Sequence, residues 1–172
     1  MTERCGSCTR CLDVCPTNAF ERPFVLDPRR CVAYLTIEHR SAIDSAYAPG
    51  IGEHLFGCDD CQTVCPFNTR ALSNENRAAI DARFAADPRW SEASLASILA
   101  LDDAGFVRLR EGTPIGRATR AGLARNAAVI LGNRGDAGEL PALERASTDH
   151  DSAIVREAAS WAIAKITDTP RR

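Results

Sequence analysis

The order of apolar and polar positions divides the chain near residue 70. Beyond that point apolar side chains recur at helical spacing, and the strongest run, Ile115–Leu131, is expected to form a helix. Leu123, Ala127 and Ile130 fall on one face of it, and Gly132 and Gly135 are expected to end it. Before residue 70, prolines and glycines interrupt the pattern, which predicts loops with short helical turns after each Cys-Pro pair. No alternating pattern of useful length predicts a strand.

Shorter helices are expected around the main run. A helix within Cys31–Ser45 is expected to link the two halves of the part before residue 70. The others are Ala78–Phe84, Leu95–Leu101 capped by Ser91 or Ser94, Asp102–Arg110 ended by Gly112, Ala137–Ala146, and Ser152–Ile166 capped by Asp151 or Ser152. The segments that begin at Arg125 (residues 125–136) and Arg156 (residues 156–168) align from their first residues at an offset of 31, near the period of helical-repeat arrays. We interpret them as a HEAT-like repeat; ordinary packing of alanine-rich helices is the alternative.

All eight cysteines lie in the first part, in two related patterns. The first is Cys5-x2-Cys8-x2-Cys11-x3-Cys15-Pro16, and the second is Cys58-x2-Cys61-x3-Cys65-Pro66, with Leu55 where its first cysteine is expected. This is the ferredoxin-type spacing for two [4Fe–4S] clusters, in which the cysteine before proline binds the other cluster. Cys31 is the one cysteine left to replace Leu55. The predicted first set is Cys5, Cys8, Cys11 and Cys65, and the second set is Cys15, Cys31, Cys58 and Cys61.

Two other uses of the cysteines are less consistent with the sequence. Four disulfides would suit a small secreted domain, whereas this chain has 172 residues and no export signal. A zinc ribbon needs two CxxC pairs but not the Cys-x3-Cys-Pro endings. The sequence therefore predicts a mainly α protein: a dicluster ferredoxin-like iron–sulfur domain over residues 1–70, followed by HEAT-like helical repeats over residues 71–172.

Charge becomes informative only locally, because the net charge of the whole chain is −2. Residues 104–134 contain one acid, Glu111, and six arginines, which gives five net positive charges: Arg108, Arg110, Arg117, Arg120, Arg125 and Arg134. Arginine suits phosphate because its planar fork donates in pairs. We expect either a nucleic-acid backbone site or a solvated helix face that pairs with acids from elsewhere.

Other chemistry is not evident in the sequence. His39, His54 and His150 are scattered, lack ligand spacing, and are expected to be structural. There is no Ser/His/Asp grouping, no pair of carboxylates, no GxGxxG and no P-loop. No stretch approaches the apolar length of a membrane-spanning helix, and oxygen-sensitive clusters suggest the cytoplasm. We expect an electron conduit with no substrate chemistry of its own.

The combination of motifs resembles one enzyme family. The segments CGSCTRCLDVCPTNAF, RRCVAYLTIEHR, GCDDCQTVCPFN and TPIGRATRAGLARNAAVILGN closely resemble epoxyqueuosine reductase, a cobalamin- and iron–sulfur-dependent oxidoreductase of tRNA queuosine modification. The resemblance runs from Cys5 to about Ile166. It implies that the lone cysteine before YLTIEHR is the fourth ligand, that the family ends in HEAT-like repeats, and that the clusters feed electrons singly to cobalamin, which removes the epoxide oxygen of epoxyqueuosine in the anticodon loop.

The resemblance also implies site residues and partners. It implies contact with cobalamin and the modified nucleoside for Tyr34, Thr36, Ile37, Glu38, His39 and Arg40. It implies contact with tRNA for Arg108, Arg110, Arg117, Arg120 and Arg125. Expected partners are the anticodon loop of a queuosine-type tRNA, an external electron donor, and a cobalamin-binding domain or chain; we expect a monomer.

The family's cobalamin-binding domain, with its catalytic acid, precedes the clusters, and only four residues precede Cys5 here. We therefore expect no catalytic residue in this segment and no tight corrin binding by it alone, as in a fragment or one chain of a split enzyme. The alternatives are a stand-alone dicluster electron carrier, a subunit of another cobalamin-dependent reductase, and an interaction module with structural clusters. Salt-dependent tRNA binding distinguishes these alternatives.

Overall fold

The computed structural model of the chain describes residues 5–69 and 87–168. The first part consists of short elements: α1 Arg10–Asp13, β1 Phe20–Arg22, β2 Val25–Leu26, α2 Val32–Ile37, α3 Asp60–Thr63 and α4 Pro66–Thr69, with 3₁₀ turns at Pro28–Arg30 and Ala48–Ile51. The two strands form an antiparallel hairpin, which the apolar pattern did not predict because each strand is only two or three residues long. The turn predicted after Cys65 is α4, whereas Pro16 begins a non-helical turn.

All the regular elements described in the second part are helices. Its elements are α5 Pro88–Ser91, α6 Leu95–Leu99, α7 Asp103–Arg110, α8 Arg120–Arg134, α9 Leu140–Asp149 and α10 Ala153–Asp168, with 3₁₀ turns at Pro114–Ala118 and Ala137–Glu139. Ser94 caps α6 and Asp102 caps α7, each accepting a backbone N–H three residues on. Ser152 immediately precedes α10. The predicted helix Ala78–Phe84 and the predicted boundary at residues 70–71 lie outside the described residues.

Two predicted helices have different bounds in the structure, for identifiable reasons. The predicted run Ile115–Leu131 is divided at Thr119, which has a φ of +64° and whose hydroxyl caps α8 by accepting from the amide of Gly122 at 3.2 Å. Gly132 does not end α8; Gly135, in the left-handed conformation, does. The helix predicted within Cys31–Ser45 ends at Ile37, because the backbone carbonyls of residues 35, 39 and 41 accept from a side chain of α8 instead of continuing a helical ladder.

Helix α8 is the centre of the molecule. Eleven of its fifteen residues are buried, and it packs against α10, α6, α2 and the 3₁₀ turn Ala48–Ile51. Val32 and Leu35 of α2 and Ile51 of the turn belong to the same hydrophobic core as the helices of the second part. The cysteine-rich part and the helical part are therefore joined by one core through α8.

Gly132 is required where α8 crosses α10. A Cβ at this position would lie 2.7 Å from the Cβ and 2.8 Å from the Cα of Ala162, so the two helices would have to separate. We expect Gly132→Ala to lower the free energy of unfolding by about 1–3 kcal/mol, the usual cost of overpacking a core, despite alanine's higher helix propensity.

Gly122→Ala on the same helix is the matched control, since its Cβ would meet only the Thr119 hydroxyl, at 3.3 Å. Anaerobic denaturant unfolding of both variants measures the difference. A Gly132→Ala protein as stable as Gly122→Ala would contradict the close crossing of α8 and α10.

Candidate metal centre and nucleic-acid interface

The two cysteine motifs fold into the same backbone structure, fifty residues apart. Cys15 and Cys65 each donate their amide to the carbonyl three residues earlier, at 3.4 and 3.2 Å. Asn18 and Asn68 then donate to the carbonyls of those cysteines, at 3.1 and 2.9 Å. Helices α1 and α3, which carry the middle of each motif, pack against each other. The repeated spacing in the sequence is therefore a repeated structure, and the two copies face each other.

Four of the cysteines line one cavity of about 60 Å³. They come from three separate chain segments and are Cys15, Cys31, Cys58 and Cys61. The remaining walls are mainly apolar, with Ala19, Phe20 and Val32 among them. The structure thus brings together the residues predicted as the second set, including Cys31, which lies 24 residues before the position it replaces.

The chemistry around this cavity fits a cluster of iron and sulfide. The amide of Ala19 donates to the sulfur of Cys15 at 3.2 Å, the kind of contact that stabilises the negative charge of ligating sulfur. Burial raises the pKa of the Cys58 and Cys61 thiols above their usual range. A metal must displace these protons, because the thiolate is the ligand.

The first set is closer to solvent than the second. Cys5 and Cys8 are exposed, Cys11 and Cys65 are half-buried, and the amide of Cys8 turns back to the carbonyl of Cys5 at 3.0 Å. No disulfide joins any of the eight cysteines, all of which the structure describes. Because cluster potentials respond to solvent exposure, we expect the two sites to differ in potential.

His54 was expected to be structural, and the structure places it beside the second set. Its Nε2 lies 3.2 Å from a carboxylate oxygen of Asp60, and the ligand atoms of His54, Cys58 and Asp60 all lie within 4.8 Å of one another. These three groups could hold a metal, but they share Cys58 with the cavity above and are part of the same site. The sequence contained a signal for the position of His54, because this residue stands four residues before the predicted ligand Cys58.

Six residues between Tyr34 and Arg40 were expected to face cobalamin, and one of the six cannot. Thr36 is fully buried, and its hydroxyl donates to the carbonyl of Val32 at 2.8 Å and accepts from the amide of Gly57 at 3.0 Å. The prediction for Thr36 is wrong because Thr36 joins α2 to the approach to Cys58.

The other five residues of the prediction are partly or fully exposed and form an edge. Tyr34 and His39 lie with ring centroids 5.8 Å apart, and Nε2 of His39 is 3.0 Å from the carbonyl of Ala42. Arg40 donates to the carbonyls of Ile37 and Arg117 at 2.8 and 2.7 Å. Glu38 pairs with Arg117, so this edge continues into the arginine-rich segment.

The six arginines do not form one surface. Arg125 is fully buried, so it cannot reach a phosphate, and the prediction that it binds tRNA is wrong. Arg120 keeps only 17% of its side chain exposed and pairs with Asp103 and Asp151. Arg134 pairs with Glu53. For Arg120 and Arg134, pairing with carboxylates within the molecule accounts for the charge.

Three arginines remain available to a ligand: Arg108, Arg110 and Arg117 are exposed. Arg110 reaches the turn that carries Arg117, since a Cβ on Gly116 would lie 3.2 Å from its Nη1. The Arg117–Glu38 pair is itself exposed, at 66% and 39%, and such pairs contribute only about 0–1 kcal/mol. A phosphate can therefore replace Glu38 at Arg117. Among the residues described, no helix is long and apolar enough to span a bilayer.

Known proteins match this chain in sequence and in structure. Residues 4–68 match the family described as a 4Fe-4S double cluster binding domain. The epoxyqueuosine reductase of Xanthomonas campestris is 46% identical over 165 residues, which are 95% of this chain and 45% of that protein. The structure of epoxyqueuosine reductase from Bacillus subtilis matches with a TM-score of 0.81 and 32% identity, over 96% of this chain and 43% of that one.

A third match is a crystal structure of epoxyqueuosine reductase with an epoxyqueuosine-modified tRNA-Tyr stem loop, with a TM-score of 0.78, 33% identity, and coverage of 98% of this chain and 43% of that one. The chain thus spans a little under half the length of the curated relatives it matches. The predictions of an iron–sulfur protein, of a mainly α fold and of the family resemblance are confirmed. In sequence and in fold, the chain is similar to the epoxyqueuosine reductases over a little under half of their length.

Proposed function

We propose that this chain is the iron–sulfur electron-transfer and tRNA-binding part of an epoxyqueuosine reductase. The observation that carries the proposal is the cavity lined by Cys15, Cys31, Cys58 and Cys61, which lies at the start of the segment leading to the Tyr34–Arg40 edge. That edge is linked to Arg117 through Glu38 and Arg40. Electron supply and phosphate binding thus lie at the two ends of one short segment.

Each predicted set holds one [4Fe–4S] cluster in this proposal. The second set is supported by its shared cavity and by the amide that donates to Cys15. The first set is supported by the matching backbone of the two motifs, in which Cys65 occupies the position that Cys15 has in the first motif. In ferredoxin-type spacing, the cysteine at this position binds the cluster of the other motif. When bound, the clusters supply electrons one at a time.

Cobalamin would lie against the partly exposed Tyr34–Arg40 edge. Ile37 and the Tyr34 ring offer apolar surface, whereas the polar groups of Glu38, His39 and Arg40 are already engaged within the chain. The edge fits one wall of a cofactor site, so the rest of the site has to come from a further domain or chain. Removal of an epoxide oxygen as water needs two electrons and two protons; this chain would carry the electrons, and no residue described here is assigned to the proton.

The RNA partner follows from the relative solved with an epoxyqueuosine-modified tRNA stem loop. In this proposal Arg108, Arg110 and Arg117 contact the phosphates of such a stem loop, and the modified nucleoside reaches the Tyr34–Arg40 edge. The setting is the cytoplasm, where tRNA is modified, with an external donor that reduces the more exposed first cluster, and the chain acts as a monomer. The helical pair α8 and α10 serves as a HEAT-like scaffold for the arginine surface.

Binding of the stem loop to the cluster-loaded chain tests this proposal. An anticodon stem loop of tRNA-Tyr should bind at low salt, and the affinity should fall linearly with the logarithm of salt concentration, because bound phosphates release counterions. A DNA hairpin of equal length and charge is the control and should bind more weakly, because it lacks the 2′-hydroxyls and the single-stranded loop geometry of RNA. No binding of the stem loop at low salt would favour a stand-alone electron carrier.

A further inference from the structure

A buried arginine without an acidic partner lies against the helix that follows Cys31. The Arg125 guanidinium donates to the carbonyls of Leu35 at 2.6 Å, Ser41 at 2.7 Å and His39 at 2.9 Å. No ion pair found in the described part of the chain includes Arg125. Burial, with a smaller contribution from the Arg40 cation, lowers the pKa of Arg125 to about 10. The side chain therefore remains a cation at neutral pH, buried and without an acidic counter-charge.

Asn126 extends the contacts of Arg125 to a second segment. Its Oδ1 accepts from Arg125 at 2.9 and 3.2 Å, and its Nδ2 donates to the carbonyls of Thr36 at 2.8 Å and Leu55 at 2.9 Å. Thr36 in turn accepts from the amide of Gly57 at 3.0 Å. Two neighbouring side chains of α8 thus join α2 to residues 55–57, and both are fully buried.

The two segments held in this way supply two thiols of the second set. Helix α2 begins directly after Cys31, whose carbonyl accepts from the amide of Leu35 at 2.9 Å. Residues 55–57 lead directly into Cys58. Both thiols line the same cavity. The distance between these ligands, which are 27 residues apart in sequence, therefore depends on how α8 holds their two segments.

We propose that Arg125 and Asn126, together the buried clamp, are positioning residues for the second cluster: they hold Cys31 and Cys58 at ligand spacing, and the guanidinium charge favours the reduced cluster. The proposal rests on the proposed function, because it assumes the second ligand set. Neither clamp residue touches the cluster cavity; they act through α2 and residues 55–57.

The positive charge of Arg125 favours one redox state of the second cluster, the reduced one. A [4Fe–4S] cluster with four thiolates is an anion that becomes more negative when it accepts one electron. A buried cation stabilises that added charge more than a solvated one does, because the surrounding dielectric is low. In Arg120 and Arg134 neighbouring carboxylates offset the charge, whereas Arg125 keeps its net charge.

Arg125→Lys tests the positioning. One ammonium group cannot reach three carbonyls in the way a guanidinium does, so the ligand segments should loosen while the charge is kept. We expect the second cluster to lose its iron to a chelator about 10- to 100-fold faster, the usual effect of removing a group that supports a ligand. Arg134→Lys, on the same helix but exposed, should release iron at the wild-type rate. An unchanged rate in Arg125→Lys would overturn the positioning role.

Asn126→Asp and Arg125→Met test the charge. The first adds a carboxylate beside the guanidinium, and the second removes the cation. In each, the midpoint potential of the second cluster should become more negative while that of the first stays unchanged, and Arg134→Met should move neither. If Arg125→Met does not assemble clusters, Asn126→Asp alone decides. Wild-type potentials in the loaded variants, or an equal shift in Arg134→Met, would overturn the electrostatic role.

Cys31→Ala identifies which cluster is which. The redox signal lost in that variant must be the one that changes in the clamp variants. A clamp variant that altered the signal retained by Cys31→Ala would overturn the clamp and leave the ligand set intact. Retention of both signals by Cys31→Ala would overturn the ligand set itself, and the clamp with it.

Discussion

Replacing Cys31 with alanine is expected to remove one of two clusters and leave the other in place. Cys31 lines the cavity with Cys15, Cys58 and Cys61. The other seven cysteines of the chain already have places in the two predicted sets, so none can replace Cys31. Three thiolates hold a [4Fe–4S] cluster weakly. The iron content of the anaerobically reconstituted protein should fall from about eight to about four per chain.

Cys5→Ala is the matched control for this experiment, because it removes one ligand of the first set. It should also leave about four irons per chain, but the two variants should lose different redox signals. Helical content should persist in both, since the core built around α8 does not include either cysteine. If Cys31→Ala kept about eight irons, the replacement of Leu55 by Cys31 as a ligand position would be wrong.

Neutralising the exposed arginines should weaken RNA binding by roughly tenfold or more, a loss of about 1.4 kcal/mol or more. Arg108, Arg110 and Arg117 are exposed, and Arg117 adjoins the Tyr34–Arg40 edge through its pair with Glu38. Changing all three to glutamine should reduce the slope of log affinity against log salt by about two to three, since each phosphate contact contributes about 0.7 to 1. Titration of a labelled stem loop at several salt concentrations gives both quantities.

The control variant removes three positive charges at other exposed positions. Arg22, Arg134 and Arg145 are also exposed, and changing them to glutamine should leave the slope near its wild-type value. Equal losses in the two triple variants would mean that only net charge matters, and the proposed arginine surface would be rejected. The sequence also implied tRNA contacts for Arg120 and Arg125, which are left out of this test because Arg125 is buried and Arg120 pairs with Asp103 and Asp151.

The metal centre could be predicted because its chemistry is encoded in short, fixed spacings. The Cys-x2-Cys and Cys-x3-Cys-Pro patterns determine the local backbone in both copies, as the matching hydrogen bonds of Cys15 and Cys65 demonstrate. The position of Cys31 in the cavity also followed from counting the cysteines. The local sequence was sufficient to predict the motifs, because their geometry depends on residues close together in the chain.

Burial of the arginines could not be predicted, because it depends on contacts between segments far apart in sequence. Arg125 lies 84 to 90 residues from the carbonyls that it binds, and Thr36 is buried because Asn126 and Gly57 approach it from elsewhere. One signal was present: Arg125 and Asn126 interrupt the run of small and apolar residues on the helix expected to form the core. The predicted end of α2 was wrong for a related reason, because α2 ends where Arg125 donates hydrogen bonds to the backbone carbonyls.

We propose above all that this chain is a two-cluster electron-transfer unit of an epoxyqueuosine reductase. A spectroscopic redox titration of the anaerobically reconstituted chain, with iron and sulfide determined on the same sample, tests it most directly. We predict about eight irons and eight sulfides per chain and two one-electron steps at different potentials. One step with about four irons, or zinc without sulfide in the cysteine sites, would contradict the account.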